Sequence, residues 1–311
     1  MTKNPLLISI GLPVYNGHKY IRQSLDSLLN QDYKNFELII SDNGSIDETQ
    51  QICLEYAKRD NRIKYYRSET NAGAAWNFNH VFELASGEYF MWASHDDYFD
   101  KRYLSSCLDV LSQSQSVVLV GTICQSLDSR TDKPLFIDKG FSTISINPLK
   151  RFMKYKTTIH AGKHIGALFY GLWKRSLMKG RKPIKKVVGC DHILLAEFCF
   201  KGEFVTISEE LMVKRWGGAS LSHESNAAAL GITNPILIKC PYLVREILFQ
   251  EIILKTNELT AQEKAYLCLW SFKHYLRVCA AKSIRRKINE SLNRAKNLTK
   301  QLLVNIRKRG A

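Results

Sequence analysis

The sequence predicts an α/β fold built on a mostly parallel sheet covered by helices on both faces, and three observations carry that expectation. Between residues 6 and 125, short apolar runs alternate regularly with segments of helical period. Each run is of strand length and is closed by turn-forming polar residues. Strands and helices that take turns along a chain pair most simply as parallel strands joined by helical crossovers.

The elements follow in order. "LLISIGLPV" reads as the first strand, and "GHKYIRQSLDSLLNQ" as a helix with Ile21, Leu25 and Leu28 on one face. "FELIISDNG" is the second strand. Ser45-Ile46-Asp47-Glu48 then fits a capping box opening a helix that runs through Tyr56. "RIKYYRS" is the third strand, with a helix from about Ala74 to Leu84. "GEYFMWAS" is the fourth, with a helix after Lys101, and "SVVLVGTIC" is the fifth. Beyond about 130 the pattern loosens. "DSRTDKPLFIDKG" reads as loop, and "GCDHILLAEFCFKGEF" as a short helix closed by Gly202. From about 234 onward the chain is helix-like, with Ala265, Leu269, Phe272 and Leu276 on one face and Ile288, Leu292, Ala295, Leu302 and Ile306 on another. The expected organisation is 1–130 and 131–230 as two halves of one α/β domain, then a basic helical extension over 231–311.

Composition narrows the function classes. The 311 residues are 45% apolar and 24% charged, as in ordinary globular proteins. The opening apolar run ends at Pro13, too short for a secretory signal, and no run approaches the roughly 20 residues that cross a bilayer. The expected location is therefore the cytoplasm. Eight scattered cysteines contain no C-x-x-C pair, so neither zinc nor thiol redox chemistry is indicated. Of the net charge of +16, residues 273–311 supply +11, with twelve Lys/Arg against Glu290 alone. Such a basic tail either packs on the body with a solvated face or meets an anionic membrane; no recognisable motif supports nucleic-acid binding.

In open parallel sheets, ligands bind outside the carboxyl ends of the strands. Here those ends read Pro13-Val14-Tyr15-Asn16, Ser41-Asp42-Asn43-Gly44 and Ser94-His95-Asp96-Asp97. Adjacent acids after a strand suit either a helix N-terminus or a hard cation such as Mg²⁺ or Mn²⁺. A carboxylate facing a phosphate at about 4 Å is opposed by roughly 4 kcal/mol at an effective dielectric near 20, and a divalent ion between them reverses that sign. Asp42 is open to the same two readings, as a turn residue or as a contact to a nucleotide. A dinucleotide-binding oxidoreductase is excluded, because "SIGLPVYNG" lacks G-x-G-x-x-G after the first strand.

Taken together, "ISIGLPVYNGHKYIRQSLDSLLNQDYKNFELIISDNGSIDET", "NAGAAWNFNHVFELASGEYF" and "HDD" resemble the family 2 glycosyltransferases, the inverting group with a GT-A fold. The resemblance covers about the first 125 residues. It implies a Rossmann-like sheet, a nucleotide-sugar donor and transfer to a glycan or lipid-linked acceptor in bacterial polysaccharide synthesis. It places Pro13, Tyr15 and Asn16 along the nucleotide, Asp42 at the base, and Asn71, Gly73 and Asn77 beneath the donor. It puts Asp96 at the ribose and Asp97 on Mg²⁺ or Mn²⁺. In the less similar second half, Asp191 corresponds by position to the general base, while Glu197 is assigned a structural role. Relatives carry R-x-H-x-x-x-S where this chain has Lys214-Arg215-Trp216-Gly217-Gly218-Ala219-Ser220, so Trp216 takes the histidine's place. Arg215 is either a partner for the leaving diphosphate or a surface salt-bridge residue. His95 reads as a residue packed beside the site or capping a turn, with a further ligand as the other reading, and Trp92 as a core or sheet-face residue, with lining of the sugar pocket as the other reading. The Trp216 departure leaves one alternative, a non-catalytic scaffold partner with the same fold.

Overall fold

The computed structural model describes residues 6–144, 146–161, 165–217 and 222–281. The chain divides into two compact units, Met1–Thr260 and Ala261–Ala311. In the first, a nine-stranded mixed sheet runs in the order β3-β2-β1-β4-β8-β6-β9-β5, with β7 paired to β6. The first four of these, β1 (Ile8–Val14), β2 (Phe36–Asp42), β3 (Ile63–Arg67) and β4 (Tyr89–Trp92), are mutually parallel, as expected. Every residue of β1, β2 and β4 is buried, which is why these strands read as apolar runs without alternation. Helices α1 (Ile21–Leu29), α2 (Thr49–Arg59), α3 (Ala74–Glu83) and α4 (Tyr103–Gln113) are the connections.

The second half of the sheet departs from the expected pattern. The run expected to be loop contains β7 (Pro134–Asp138), which pairs antiparallel with the long β6 (Val117–Asp128). The three-residue β8 (Leu172–Lys174) runs antiparallel to both β4 and β6, so it joins the two halves. β9 (Glu203–Trp216) pairs parallel with β6 and antiparallel with β5 (Tyr98–Phe99). Its ladder with β6 carries three register shifts, and these let one strand follow the bend of the sheet. Helix α5 (Pro148–His160) opens where Asn147 accepts a hydrogen bond from the Lys150 N–H and Pro148 takes the first turn. Helix α6 (Cys190–Lys201) ends at Gly202 as expected and buries residues all round, with α5 and α9 (Pro241–Lys255) against it. A buried ion pair between Lys156 of α5 and Glu246 of α9 ties those flanking helices together.

The capping box is replaced by another use of the same residues. α2 begins only at Thr49, and the Ser45 hydroxyl accepts from the Asn16 N–H at 2.9 Å instead. Asp47 accepts from the Thr49 N–H at 3.0 Å. The Ser45–Asn16 bond ties the β2–α2 loop to the β1–α1 loop, and both border the cleft described below. The core beneath holds Trp92, fully buried, stacked on Phe169 at 4.8 Å and donating its indole N–H to the Phe78 carbonyl at 3.1 Å.

Two short helices, α7 (His223–Ala229) and α8 (Pro235–Lys239), complete the first unit before α9. The described part of the second unit is a helix over 261–281, with Tyr266, Leu269, Phe272 and Leu276 exposed. The apolar face containing Ile288 and Ile306 lies outside the described residues. Among the described residues, no helix is long and apolar enough to cross a membrane.

Candidate active site

The carboxyl ends of β1, β2, β4, β6 and β9 meet at one edge of the sheet around a cleft of about 850 Å³. That volume is within the range of small-molecule sites. Pro13, Tyr15, Asn16, Asn71, Asn77, Asp96, Asp97 and Arg215 all line it, although they lie up to two hundred residues apart. His95 also lines it, packed over Gly17: a Cβ there would lie 2.7 Å from the imidazole. Asn16 holds a left-handed φ of 51°, a conformation asparagine tolerates better than most side chains. Its carboxamide oxygen accepts from the Ile46 N–H at 3.0 Å, so the turn is held from both ends.

The floor is a set of amide clasps. Asn43 donates to the Asn71 side chain at 2.8 Å and accepts from the Ala72 N–H at 2.9 Å. Asn71 in turn accepts from the Gly73 N–H at 2.8 Å. Gly73 opens α3 at φ 86°, where a Cβ would meet the Leu230 carbonyl oxygen at 3.1 Å, so its contribution is to the turn rather than to the cleft surface. Asn77 donates to the Ser41 carbonyl at 2.9 Å, while its own Oδ1 is buried with no partner.

Asp42 is not brought to the cleft surface. It is wholly buried and accepts from the Ser45 N–H at 2.8 Å and the Tyr65 hydroxyl at 2.9 Å, with Arg67 at 3.6 Å. The neighbouring Asn43 lines the cleft instead.

The acid pair is asymmetric. Asp96 is half-buried and accepts from the Ser94 hydroxyl. Asp97 is 1% exposed; its Oδ1 accepts from the Arg215 N–H at 2.9 Å, and its Oδ2 is buried with no hydrogen bond. Burial, with the Asp96 charge beside it, pushes Asp97 up to about 8 against the opposing pull of Lys214 and Arg215. An orphaned carboxylate oxygen beside a second acid fits a hard cation that completes its coordination from elsewhere. Among the described residues, no three His, Cys, Asp or Glu side chains converge as a self-sufficient metal cage.

Arg215 is engaged inside the wall. Its guanidinium donates to Asp132 at 2.8 Å, the Asp96 carbonyl at 2.7 Å and Gln23 at 2.9 Å, and it lies over the Tyr20 ring at 4.2 Å. It thereby ties α1, the acid pair and the β6–β7 turn together. Trp216 points its ring at Phe136, 5.5 Å away, and is not a lining residue. Residues 218–220 of this segment lie outside the described residues.

Asp191 sits half-buried in the first turn of α6, after Gly189 in the left-handed region at φ 80°. Burial works against its charge, but His192, Lys214 and Arg245 outweigh it and leave the carboxyl below its ordinary value. It is not among the cleft-lining residues, though Lys214 and Tyr170, which feel its charge, are. Glu197 forms a two-point pair with Arg181.

Sequence reasoning missed Asn43, Tyr170 and Lys214. Asn43 directly follows a strand end, so the strand-end rule itself would have found it. Tyr170 and Lys214 come from a short helical turn and from β9, neither of which had a readable pattern.

The family model described as Glycosyl transferase family 2 matches residues 9–175. An uncharacterized glycosyltransferase of Rickettsia typhi is 32% identical over 166 residues, which are 53% of this chain and 48% of that protein. The glycosyltransferase GlyA of Streptococcus pneumoniae is 34% identical over 114 residues, 37% of this chain and 16% of its own. The chain thus spans at most about half the length of these relatives. Among solved structures, S. aureus TarS (residues 1–349) superposes with a TM-score of 0.62 at 18% identity, covering 85% of this chain and 69% of TarS. The mannosyltransferase PcManGT from Pyrobaculum calidifontis, solved with GDP-Man and Mn²⁺, gives 0.52 at 15% identity, covering 91% and 88%. These likenesses show a shared GT-A fold. Because the family model takes in more than half of the sequence, including every strand end from β1 to β4, the chain belongs to glycosyl transferase family 2.

Proposed function

We propose that the chain is an inverting glycosyltransferase that moves a sugar from a nucleotide-sugar donor to an acceptor hydroxyl. The observation that carries this reading is Asp97 Oδ2, a buried carboxylate oxygen left without a partner on the wall of a cleft at the strand ends. The TarS neighbour has been solved with UDP-GlcNAc and PcManGT with GDP-Man, which supports a nucleotide-sugar donor here.

In this reading Pro13, Tyr15 and Asn16 flank the nucleotide, Asn43, Asn71 and Asn77 form its floor, and Asp42 braces that floor from behind. Asp96 and Asp97 would hold Mg²⁺ or Mn²⁺. Asp96 keeps solvent access, so the pair rather than Asp97 alone faces the ion. The ion, when bound, supplies Lewis-acid neutralisation of the donor diphosphate. Asp191, ionised at neutral pH, accepts the acceptor hydroxyl proton as that oxygen bonds to the anomeric carbon. The bond from that carbon to the diphosphate oxygen breaks, and its electron pair leaves with the nucleoside diphosphate. One displacement inverts the anomeric centre. A positioned base contributes about 10²–10⁴-fold.

The acceptor we infer is a glycan or lipid-linked saccharide of cell-surface polysaccharide synthesis, reached at an anionic membrane surface through the basic C-terminal segment. The test is thermal unfolding with a panel of nucleoside diphosphates and nucleotide-sugars, with and without Mn²⁺. A ligand at 100 times its dissociation constant adds about 2.7 kcal/mol. Stabilisation by one nucleotide class in the presence of the ion is expected; a flat response across the panel refutes the donor reading.

A further inference from the structure

Two polar groups on the cleft wall lack a partner among the described residues, and they do not close on each other. One is Asp97 Oδ2. The other is the ammonium of Lys214, at the end of β9 and half-buried. It rests 4.5 Å from the centre of the Tyr170 ring and 5.8 Å from that of Trp216. Among the described residues it makes no hydrogen bond and no ion pair within 4.0 Å.

The other cations lining the cleft differ in this respect. Arg215 is fully engaged, Lys19 donates to the Ser129 carbonyl at 3.4 Å, and Arg130 pairs with Asp128 at 3.4 Å on the surface. Aromatic faces stabilise an ammonium but accept none of its three N–H bonds, so this cation lacks an acceptor in a partly desolvated place. Burial disfavours its charge, yet Tyr170, Asp97 and Asp191 outweigh that and hold its pKa above the ordinary lysine value. It is therefore charged at neutral pH.

An unpartnered carboxylate oxygen and an unpartnered ammonium in one cleft call for a ligand that satisfies both ends. A divalent ion bound to a diphosphate does so, offering the cation to the acid and anionic oxygens to the lysine. We propose that Lys214 is a donor-binding residue whose ammonium pairs with the phosphate oxygens of the nucleoside diphosphate. When the bond to the anomeric carbon breaks, the charge left on the diphosphate then falls beside a fixed cation. This rests on the nucleotide-sugar reading above.

The experiment is calorimetric titration of the full chain and its Lys214→Met and Lys214→Arg variants. The probes are UDP, GDP, CDP and dTDP and their parent nucleosides, in Mn²⁺ and again in EDTA. The wild type is expected to bind one diphosphate. Lys214→Met should weaken that diphosphate about tenfold or more in both buffers, the loss of one charge-assisted contact, and leave the parent nucleoside within about twofold. Lys214→Arg should keep most of the affinity. If Lys214→Met does not show a cooperative melt, Lys214→Gln is read by the same criteria. Unchanged diphosphate affinity overturns the proposal, as does equal weakening of nucleoside and diphosphate. A loss confined to Mn²⁺ also overturns it, because the lysine would then act through the acid pair. A wild-type chain that binds none of the four diphosphates refutes the donor reading itself, which separates that failure from failure of the lysine assignment.

Discussion

Asp97 is held in a state that the free protein would be better without. One of its oxygens has the Arg215 N–H, the other has nothing, and burial pushes its carboxyl up to about 8. A buried polar atom without a partner costs about 1–3 kcal/mol. Asp97→Asn keeps an oxygen for the Arg215 N–H and removes an acid whose ionisation burial opposes. The unliganded variant should melt about 2–4 °C higher than the wild type and should lose Mn²⁺-dependent stabilisation by nucleotides. A lower melting temperature in calorimetry would show that the acid is not strained as described. The acid pair could be read in the sequence because two adjacent carboxylates after an apolar run are conspicuous. Lys214 could not, because one lysine beside an arginine carries no sign that its ammonium lacks an acceptor. Its surroundings depend on Tyr170 and Asp97, which come from two other points in the chain.

At the level of the strands, Glu37 does at the amino ends what the cleft residues do at the carboxyl ends. It is 5% exposed on β2, accepts from Ser9 of β1 at 2.5 Å, from the Ser86 N–H and hydroxyl at 2.7 and 2.8 Å, and pairs with Lys64 of β3 at 2.6 Å. Burial alone would raise its pKa. The bonds from Lys64, Ser9 and Ser86 outweigh burial and lower the carboxyl from 4.5 to about 2. A depressed carboxyl contributes stability that is fully present above its ordinary value and is lost as pH falls from about 4.5 through 2, here roughly 3 kcal/mol. Denaturant titrations across that range should show the loss in the wild type and a flatter profile in Glu37→Gln. Equal slopes in the two proteins would remove Glu37 from the acid limb. The same strands were the legible ones, since burial on both faces leaves uninterrupted apolar runs. β7 was not, because four of its five residues are exposed or half-exposed, and β9 carries Glu209 and Glu210 in mid-strand.

For the molecule as a whole, the remaining question is where it works. The helix over 261–281 exposes Tyr266, Leu269, Phe272 and Leu276 along one stripe, with Lys273 and Arg277 also on the exposed side. Residues 273–311 supply +11 of the +16 net charge. Each basic residue near an anionic bilayer adds about 1 kcal/mol, and salt weakens it. In liposome flotation, the full chain should rise with anionic vesicles and detach at high salt, whereas a chain ending at 272 should stay in the dense fraction. Equal flotation of the two would take the tail out of membrane attachment. The tie made by Arg215 has a further consequence, for biosynthesis. Its partners at positions 23, 96 and 132 leave the ribosome long before it does, so the acid pair lacks this tie until β9 is translated and docked.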